Sequence, residues 1–167
     1  MKKVITTLAL SCLVAITSIA QTINNDKSVV NFKISNMKMK TVKGTFSGMK
    51  GTVNFTPNNF ASSNFDVCID ASTVNTENKK RDDHLRTADF FDTEKYPTIC
   101  FKSKSITKNA DTYLAKGTLT MHGITKEVEI PFTFSNNVLK GTLTVKRLDY
   151  KVGESTGEFM VGNEVEM

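Results

Sequence analysis

The residues of this chain that could do chemistry are few, and most of them lie in one short polar segment. Asp82 and Asp83 precede His84 there, and the second histidine, His122, stands apart beside a glycine. A carboxylate beside an imidazole could serve as a general base or as part of a metal site. A metal site needs more ligands, however, and the chain has no Cys-x-x-Cys, His-x-His or His-Glu-x-x-His pattern. The sequence therefore predicts no catalytic residue, no metal site, no cofactor and no enzyme activity, and it favours a solvated, salt-bridged helix here.

The first twenty residues have the features of an export leader. Two lysines begin the chain, an apolar run follows, and Ser18 and Ala20 supply small residues at the two positions that a signal peptidase reads. The run is shorter than the roughly 20 apolar residues that a membrane-spanning helix needs. We therefore expect residues 1–20 to be a cleaved signal peptide, with no transmembrane anchor, and residues 21–167 to form a single exported domain.

The charge of the predicted mature chain is mild. Loss of the leader, which holds two lysines and no acidic residue, lowers the formal net charge from +5 to +3. Lysines alternate with acidic residues along the chain, which is typical of an ordinary solvated surface. We therefore predict no nucleic-acid partner.

Two cysteines, Cys68 and Cys100, remain after the leader. Both lie in segments with the alternation of a strand, and both fall on the outward face. Export to an oxidising compartment and the position of the two strands on either side of the helical segment favour a disulfide. Two separate thiols that serve as small side chains remain the alternative, because the sequence does not give their distance.

Alternation of apolar and polar residues covers most of the chain and predicts about eight antiparallel strands. Between residues 76 and 97 it stops, and Thr76 could cap a short exposed helix over 79–86 within a helical insertion at about 77–91. Gly48 and Gly51 accompany a change of parity that indicates a bulge or corner. Because closure removes exposed sheet edges, the fold class is all-β: an extended eight-stranded antiparallel barrel.

Three copies of Lys-Gly-Thr followed by a large apolar residue place glycines on the apolar face of strands, at Gly44, Gly117 and Gly141. A glycine weakens a strand, so it requires a reason. Either the strand bends there or the barrel leaves room for a ligand. The nearby change of parity favours bending at Gly44, whereas Gly117 and Gly141 lie in uninterrupted alternation and favour space. The inward residues are almost all apolar, so such a lumen suits an apolar ligand held by desolvation.

Four motifs of the chain resemble those of the YceI-like polyisoprenoid-binding proteins. They are Val42-Lys43-Gly44-Thr45-Phe46-Ser47-Gly48 with Gly51-Thr52-Val53; Arg81-Asp82-Asp83-His84-Leu85-Arg86 with Asp89-Phe90-Phe91-Asp92 and Tyr96-Pro97; Gly117-Thr118-Leu119-Thr120-Met121-His122-Gly123-Ile124-Thr125-Lys126; and Arg147-Leu148-Asp149-Tyr150. Lys151 departs from the family, which commonly has glycine there. The matches run in order from about Val29 to the C-terminus. True lipocalins fit less well, because a chain without Trp cannot carry their Gly-x-Trp motif.

The resemblance implies a lipocalin-like barrel in the periplasm of a Gram-negative bacterium, or secreted, that binds an isoprenoid lipid without catalysis. The ligand would be the tail of an isoprenoid quinone or a polyprenyl chain. Carried onto this sequence, the ligand-binding residues are Phe32, Phe46, Phe55, Val67, Leu85, Phe90, Phe91, Ile99, Phe101, Gly117, Leu119, Met121, Phe132, Gly141 and Leu143. Leu85, Phe90 and Phe91 are expected to close one end of the barrel.

The polar residues of the insertion permit two interpretations. Arg81 and His84 could form a lip that meets the lipid head group, or they could tie the insertion to the barrel. For Asp82 we favour the second role. The alternative function is a solidly packed barrel that acts as a protein-interaction module through the charged segment 81–92. The sequence is compatible with a monomer and with a homodimer.

Overall fold

A computed structural model describes residues 22–37, 39–57, 59 and 62–167. The predicted signal peptide lies outside the described residues. No helix in the described part of the chain has the length and apolar character needed to span a membrane.

Ten strands form two antiparallel sheets in this part of the chain. The strands are β1 (Val30–Asn36), β2 (Lys40–Phe46), β3 (Lys50–Asn54), β4 (Asn64–Asp70), β5 (Thr98–Asn109), β6 (Thr112–Met121), β7 (Ile124–Ser135), β8 (Val138–Gly141), β9 (Thr144–Lys146) and β10 (Val161–Glu166). One sheet has the order β3-β4-β5-β6-β7-β8 and the other the order β2-β1-β10-β9. The chain itself joins the sheets twice, from β2 to β3 and from β8 to β9. The predicted all-β antiparallel barrel is confirmed, with ten strands instead of eight.

The corner between β2 and β3 lies where the parity of the sequence changes. Gly48 and Gly51 have φ angles of +71° and +125°, which glycine adopts without the steric cost that a Cβ brings. The corner between β8 and β9 was not predicted, because the alternation from Leu139 to Val145 continues through it. The structure ends β8 at Gly141 and pairs Leu143 with Met167 by two backbone hydrogen bonds before β9 begins.

The insertion between β4 and β5 contains the helix α1 (Lys79–Arg86), as the sequence predicts. The prediction that Thr76 caps this helix was wrong. The side chain of Asn78 accepts the backbone N–H of Arg81 at 3.0 Å and so satisfies one of the free donors of the first turn. Thr76 instead hydrogen-bonds Asp82, which fixes the chain just before the helix.

Cys68 and Cys100 are directly opposite each other on β4 and β5. A disulfide bond joins them across 32 residues of sequence, and their Cα atoms are 4.0 Å apart. The loop that the bond closes contains the whole insertion with α1, so the bond restricts the unfolded chain over that segment.

One part of the barrel interior is filled by aromatic side chains. The ring of Phe55 contacts those of Tyr113 and Phe132 edge to face, with centroids 4.9 and 5.3 Å away. Phe65 and Phe134 complete the group, with centroids 6.2 and 5.1 Å from that of Phe55. Such edge-to-face packing buries large apolar areas and leaves little space for a ligand.

Candidate ligand-binding cavity

A cavity of about 300 Å³ lies between the insertion and the interior of the barrel. Its apolar lining comes from both sheets, the insertion and the segment before β10. These apolar residues are Val30, Phe32, Ile34, Val42, Phe46, Ile69, Leu85, Phe90, Phe91, Ile99, Leu119, Met121, Val145, Val152, Met160, Val161, Val165 and Met167. The volume is at the lower end of the range of small-molecule sites.

Three apolar side chains of the insertion cover the cavity, which makes the insertion its roof. Phe91 packs edge to face on Phe46, with ring centroids 5.4 Å apart. Phe90 is buried and touches the ring of His84 at 5.1 Å between centroids. Leu85, on α1, packs against the cores on both sides. A covered, apolar space of this kind excludes water and favours an apolar occupant.

The polar part of the lining is cationic. It contains Asn36, Thr76, Arg81, His84, Arg147 and Thr156, and no carboxylate of the described residues lines the cavity. Arg81 donates from Nε to the hydroxyl of Thr76 at 2.7 Å and from Nη2 to the carbonyl of Thr76 at 2.8 Å. The Nε2 atom of His84 lies 3.1 Å from the carboxylate of Asp89. Positive groups without an acidic neighbour in the lining suit the oxygen atoms of a ligand head group.

Asp82 holds the insertion in place from within the protein. Its carboxylate accepts the backbone N–H of Thr76 at 2.9 Å and also a hydrogen bond from the hydroxyl of that residue. Because Asp82 is buried, these bonds replace the water that its charge would otherwise require. Asp82 does not line the cavity, so its role is to position Thr76 and Arg81, which do.

Arg147 organises the segment on the other side of the cavity. It is 3% exposed, and its guanidinium donates to five backbone carbonyls between 2.6 and 2.9 Å. The acceptors are Gly162 for Nε, Val152 and Gly153 for Nη1, and Thr156 and Val161 for Nη2. Burial lowers the pKa of Arg147 from its ordinary value. The sequence analysis did not select Arg147, although it opens the fourth motif.

The structure brings ten of the predicted site residues to this cavity. These are Phe32, Phe46, Arg81, His84, Leu85, Phe90, Phe91, Ile99, Leu119 and Met121. The other predicted ligand-binding residues lie elsewhere: Phe55, Val67, Phe101, Gly117, Phe132, Gly141 and Leu143. Phe55 and Phe132 belong to the aromatic group that fills the interior. Binding at any of these residues stays a prediction.

The interpretation of Gly117 and Gly141 as space for a ligand was wrong. A Cβ on Gly117 would collide with the carbonyl oxygen of Lys102 and lie 2.7 Å from the Cα of Ser103, so the backbone of β5 already fills this side. Gly141 is exposed, and a Cβ there would lie 2.9 Å from the Cγ2 atom of Ile130. Both glycines allow close approach to a neighbouring strand and neither lines the cavity.

A second concavity of about 920 Å³ lies beside the first. Its lining is mainly polar and carries both signs of charge, with Lys33 and Lys43 facing Glu129 and Glu166. Phe32 and Met167 line both spaces, so these two side chains form the wall between them. Leu143 belongs to this outer groove.

Known proteins resemble the chain in sequence and in fold. Protein YceI of Escherichia coli is 40% identical over 101 residues, which is 60% of this chain and 53% of that protein, so the chain spans about half the length of the curated relatives it matches. The crystal structure of BcnA from Burkholderia cenocepacia superposes with a TM-score of 0.72 at 27% identity, covering 83% of this chain and 91% of that one.

A polyisoprenoid binding domain from Saccharophagus degradans superposes with a TM-score of 0.59 at 16% identity, over 83% of this chain and 87% of that one, and so shows a shared fold. The model of the YceI-like domain matches residues 21–167. The chain belongs to the YceI-like domain family.

Proposed function

We propose that this protein binds an isoprenoid lipid, such as the tail of a quinone or a polyprenyl chain, and that it carries or sequesters the lipid without catalysis. The observation on which the proposal rests is the covered cavity of about 300 Å³, whose lining is apolar apart from a cationic margin. An apolar chain enters such a space without leaving polar groups unpaired. The binding energy comes from desolvation, at roughly 25 cal/mol per Å² of apolar surface.

The ligand class has support from outside the cavity as well. The structural neighbour from Saccharophagus degradans is named as a polyisoprenoid binding domain, and the family motifs of this chain contribute Arg81, His84, Leu85, Phe90 and Phe91 to the lining. We propose that the chain of the lipid lies among the apolar residues and that Arg81 and His84 contact its head group at the margin.

The setting that fits this function is the periplasm. A hydrocarbon chain needs a carrier only where it must leave the membrane for water. The predicted leader would export the protein, and the Cys68–Cys100 disulfide is of the kind that persists in oxidising compartments.

The alternative, an interaction module on the charged segment 81–92, has less support. Arg86 donates to the carbonyls of Ser72 and Val74 at 2.7 and 2.8 Å, and Asp83 pairs with Lys79 at 2.7 Å within α1. These charges therefore serve the fold of the insertion itself.

Mass spectrometry of organic extracts from the purified protein tests the proposal. We expect an isoprenoid lipid in a stoichiometric amount, and we expect it to be lost when Ile99 and Leu119 are replaced by Trp to fill the cavity. A delipidated protein that takes up neither a ubiquinone nor a menaquinone analogue would overturn the proposal.

A further inference from the structure

Four large apolar side chains are exposed together on two adjoining segments. Met37 and Met39 flank the tip of the β1–β2 turn and are 43% and 84% exposed, and Phe159 and Met160 precede β10 and are 61% and 49% exposed. The backbone N–H of Met37 donates to the carbonyl of Met160 at 3.0 Å, so the two segments are in contact. We call Met37, Met39, Phe159 and Met160 the apolar patch.

The apolar patch is continuous with the interior of the protein. Met160 is half-exposed and at the same time lines the cavity, next to Val161 and near Asn36, which also line it. Asn36 and Val161 are register partners in β1 and β10. An apolar path therefore leads from the cavity to the surface past Met160.

The patch rests on a fixed scaffold. Arg147 donates to the carbonyls of Thr156 and Val161 at 2.7 and 2.9 Å, on both sides of Phe159 and Met160. The β1–β2 hairpin is in register over its whole length, from Val30 opposite Phe46 to Asn36 opposite Lys40. Clustered, exposed apolar side chains on a fixed scaffold are typical of a surface that another apolar phase covers.

The charge and chemistry of the patch fit a lipid bilayer. The sequence of the turn is Met-Lys-Met-Lys, so each methionine is followed by a lysine, and Lys40 is exposed. Long basic side chains beside apolar ones insert the apolar part below anionic head groups and leave the charge at their level. The neighbouring acidic residue Glu158 accepts a hydrogen bond from Asn163 at 3.3 Å.

We infer that the apolar patch docks into the surface of a bilayer that contains anionic lipid, and that the cavity then opens toward the membrane past Met160. The exchange of isoprenoid lipid through this opening rests on the proposed function, whereas the docking itself does not. The arrangement places the apolar path from cavity to membrane where the lipid need not cross water.

Sedimentation with vesicles of phosphatidylcholine and phosphatidylglycerol tests the docking. For the exported protein we expect binding that weakens with salt and that falls about tenfold or more in the Met39→Ser, Phe159→Ser variant, because two apolar side chains no longer insert. The matched control is Val29→Ser, Val138→Ser, which removes two side chains of similar exposure (46% and 48%) that are not part of the patch. The control should bind vesicles as the unaltered protein does.

Two results would overturn the inference. One is equal vesicle binding by the patch variant and the control. The other is no vesicle binding by the unaltered protein together with a dimer in gel filtration that only the patch variant loses, because the patch would then cover a second copy. A Leu119→Trp variant separates docking from the proposed function: with its cavity filled, it should still sediment with vesicles.

Discussion

The ring of Phe32 lies over Gly44 on the neighbouring strand, with its Cε1 atom 2.7 Å from the position that a Cβ on residue 44 would take. The two residues are register partners in β1 and β2. The glycine gives this space to an aromatic side chain of the protein, and Phe32 uses it to form the wall between the cavity and the outer groove.

Gly44→Ala should therefore destabilise the protein. The added methyl group forces Phe32 out of its position, and we expect the free energy of unfolding in urea to fall by about 1–3 kcal/mol. Gly157→Ala is the matched control, because nothing lies within 4 Å of a Cβ at that position, and it should change stability by less than about 0.5 kcal/mol. Equal effects of the two substitutions would show that Phe32 has other room.

Arg147→Met should loosen the segment that ends at β10. The substitution leaves five backbone carbonyls without their buried donor, and we expect a loss of about 3 kcal/mol in the free energy of unfolding. Lys146→Met changes an exposed residue beside it and serves as the control. In hydrogen exchange, the amides of residues 152–162 should lose protection first in the Arg147 variant. Unchanged exchange there would contradict the role that we assign to Arg147.

Sequence alone identifies elements and faces well in this protein. Asn136 and Asn137 predict a two-residue turn, and their φ angles are +51° and +60°, as such a hairpin turn requires. Leu119 and Phe132 both face inward as their parity predicts. Leu119 lines the cavity, however, whereas Phe132 is packed on Phe55. Parity gives the face of a strand and not the position along the barrel, so the open and the packed parts of the interior could not be distinguished.

The role of the glycines could not be predicted for a similar reason. The neighbour that excludes a side chain at Gly117 is the backbone around Ser103, where the pairing of β5 with β6 shifts register before Ser105. Alternation in β6 carries no sign of that irregularity, because it arises in the partner strand. The hydrogen-bonding role of Arg147 is equally absent from the local pattern, since its acceptors lie beyond β9 in a segment without regular structure.

Removal of the disulfide should cost stability and leave ligand binding unchanged. The double variant Cys68→Ser, Cys100→Ser frees the unfolded chain over 32 residues, and we expect the free energy of unfolding to fall by about 2–4 kcal/mol. Neither cysteine lines the cavity. A reducing agent should lower the urea midpoint of the unaltered protein toward that of the variant and should not affect the variant itself. A midpoint of the unaltered protein that does not respond to reduction would contradict this.

Stability should decrease at alkaline pH because of Tyr150. Burial, with a smaller contribution from the carboxylate of Asp149, raises the pKa of the Tyr150 phenol above its ordinary value of 10.0. The folded protein therefore keeps this proton at a pH where the unfolded chain releases it, so the stabilisation is complete below about pH 10 and is lost as pH rises through the raised pKa. Urea unfolding from pH 8 to pH 11.5 should show a steeper decline than in Tyr150→Phe. Parallel curves would exclude this contribution.

The binding of a short-chain ubiquinone analogue to two tryptophan variants of the same strand tests the account most directly. Leu119 lines the cavity, whereas Leu114 lies on the other face of β6. Isothermal titration should show that Leu119→Trp weakens binding roughly tenfold or more, because the larger ring fills the cavity, while Leu114→Trp binds as the unaltered protein does. Equal affinity of the two variants, with both folded by circular dichroism, would show that the lipid does not occupy this cavity.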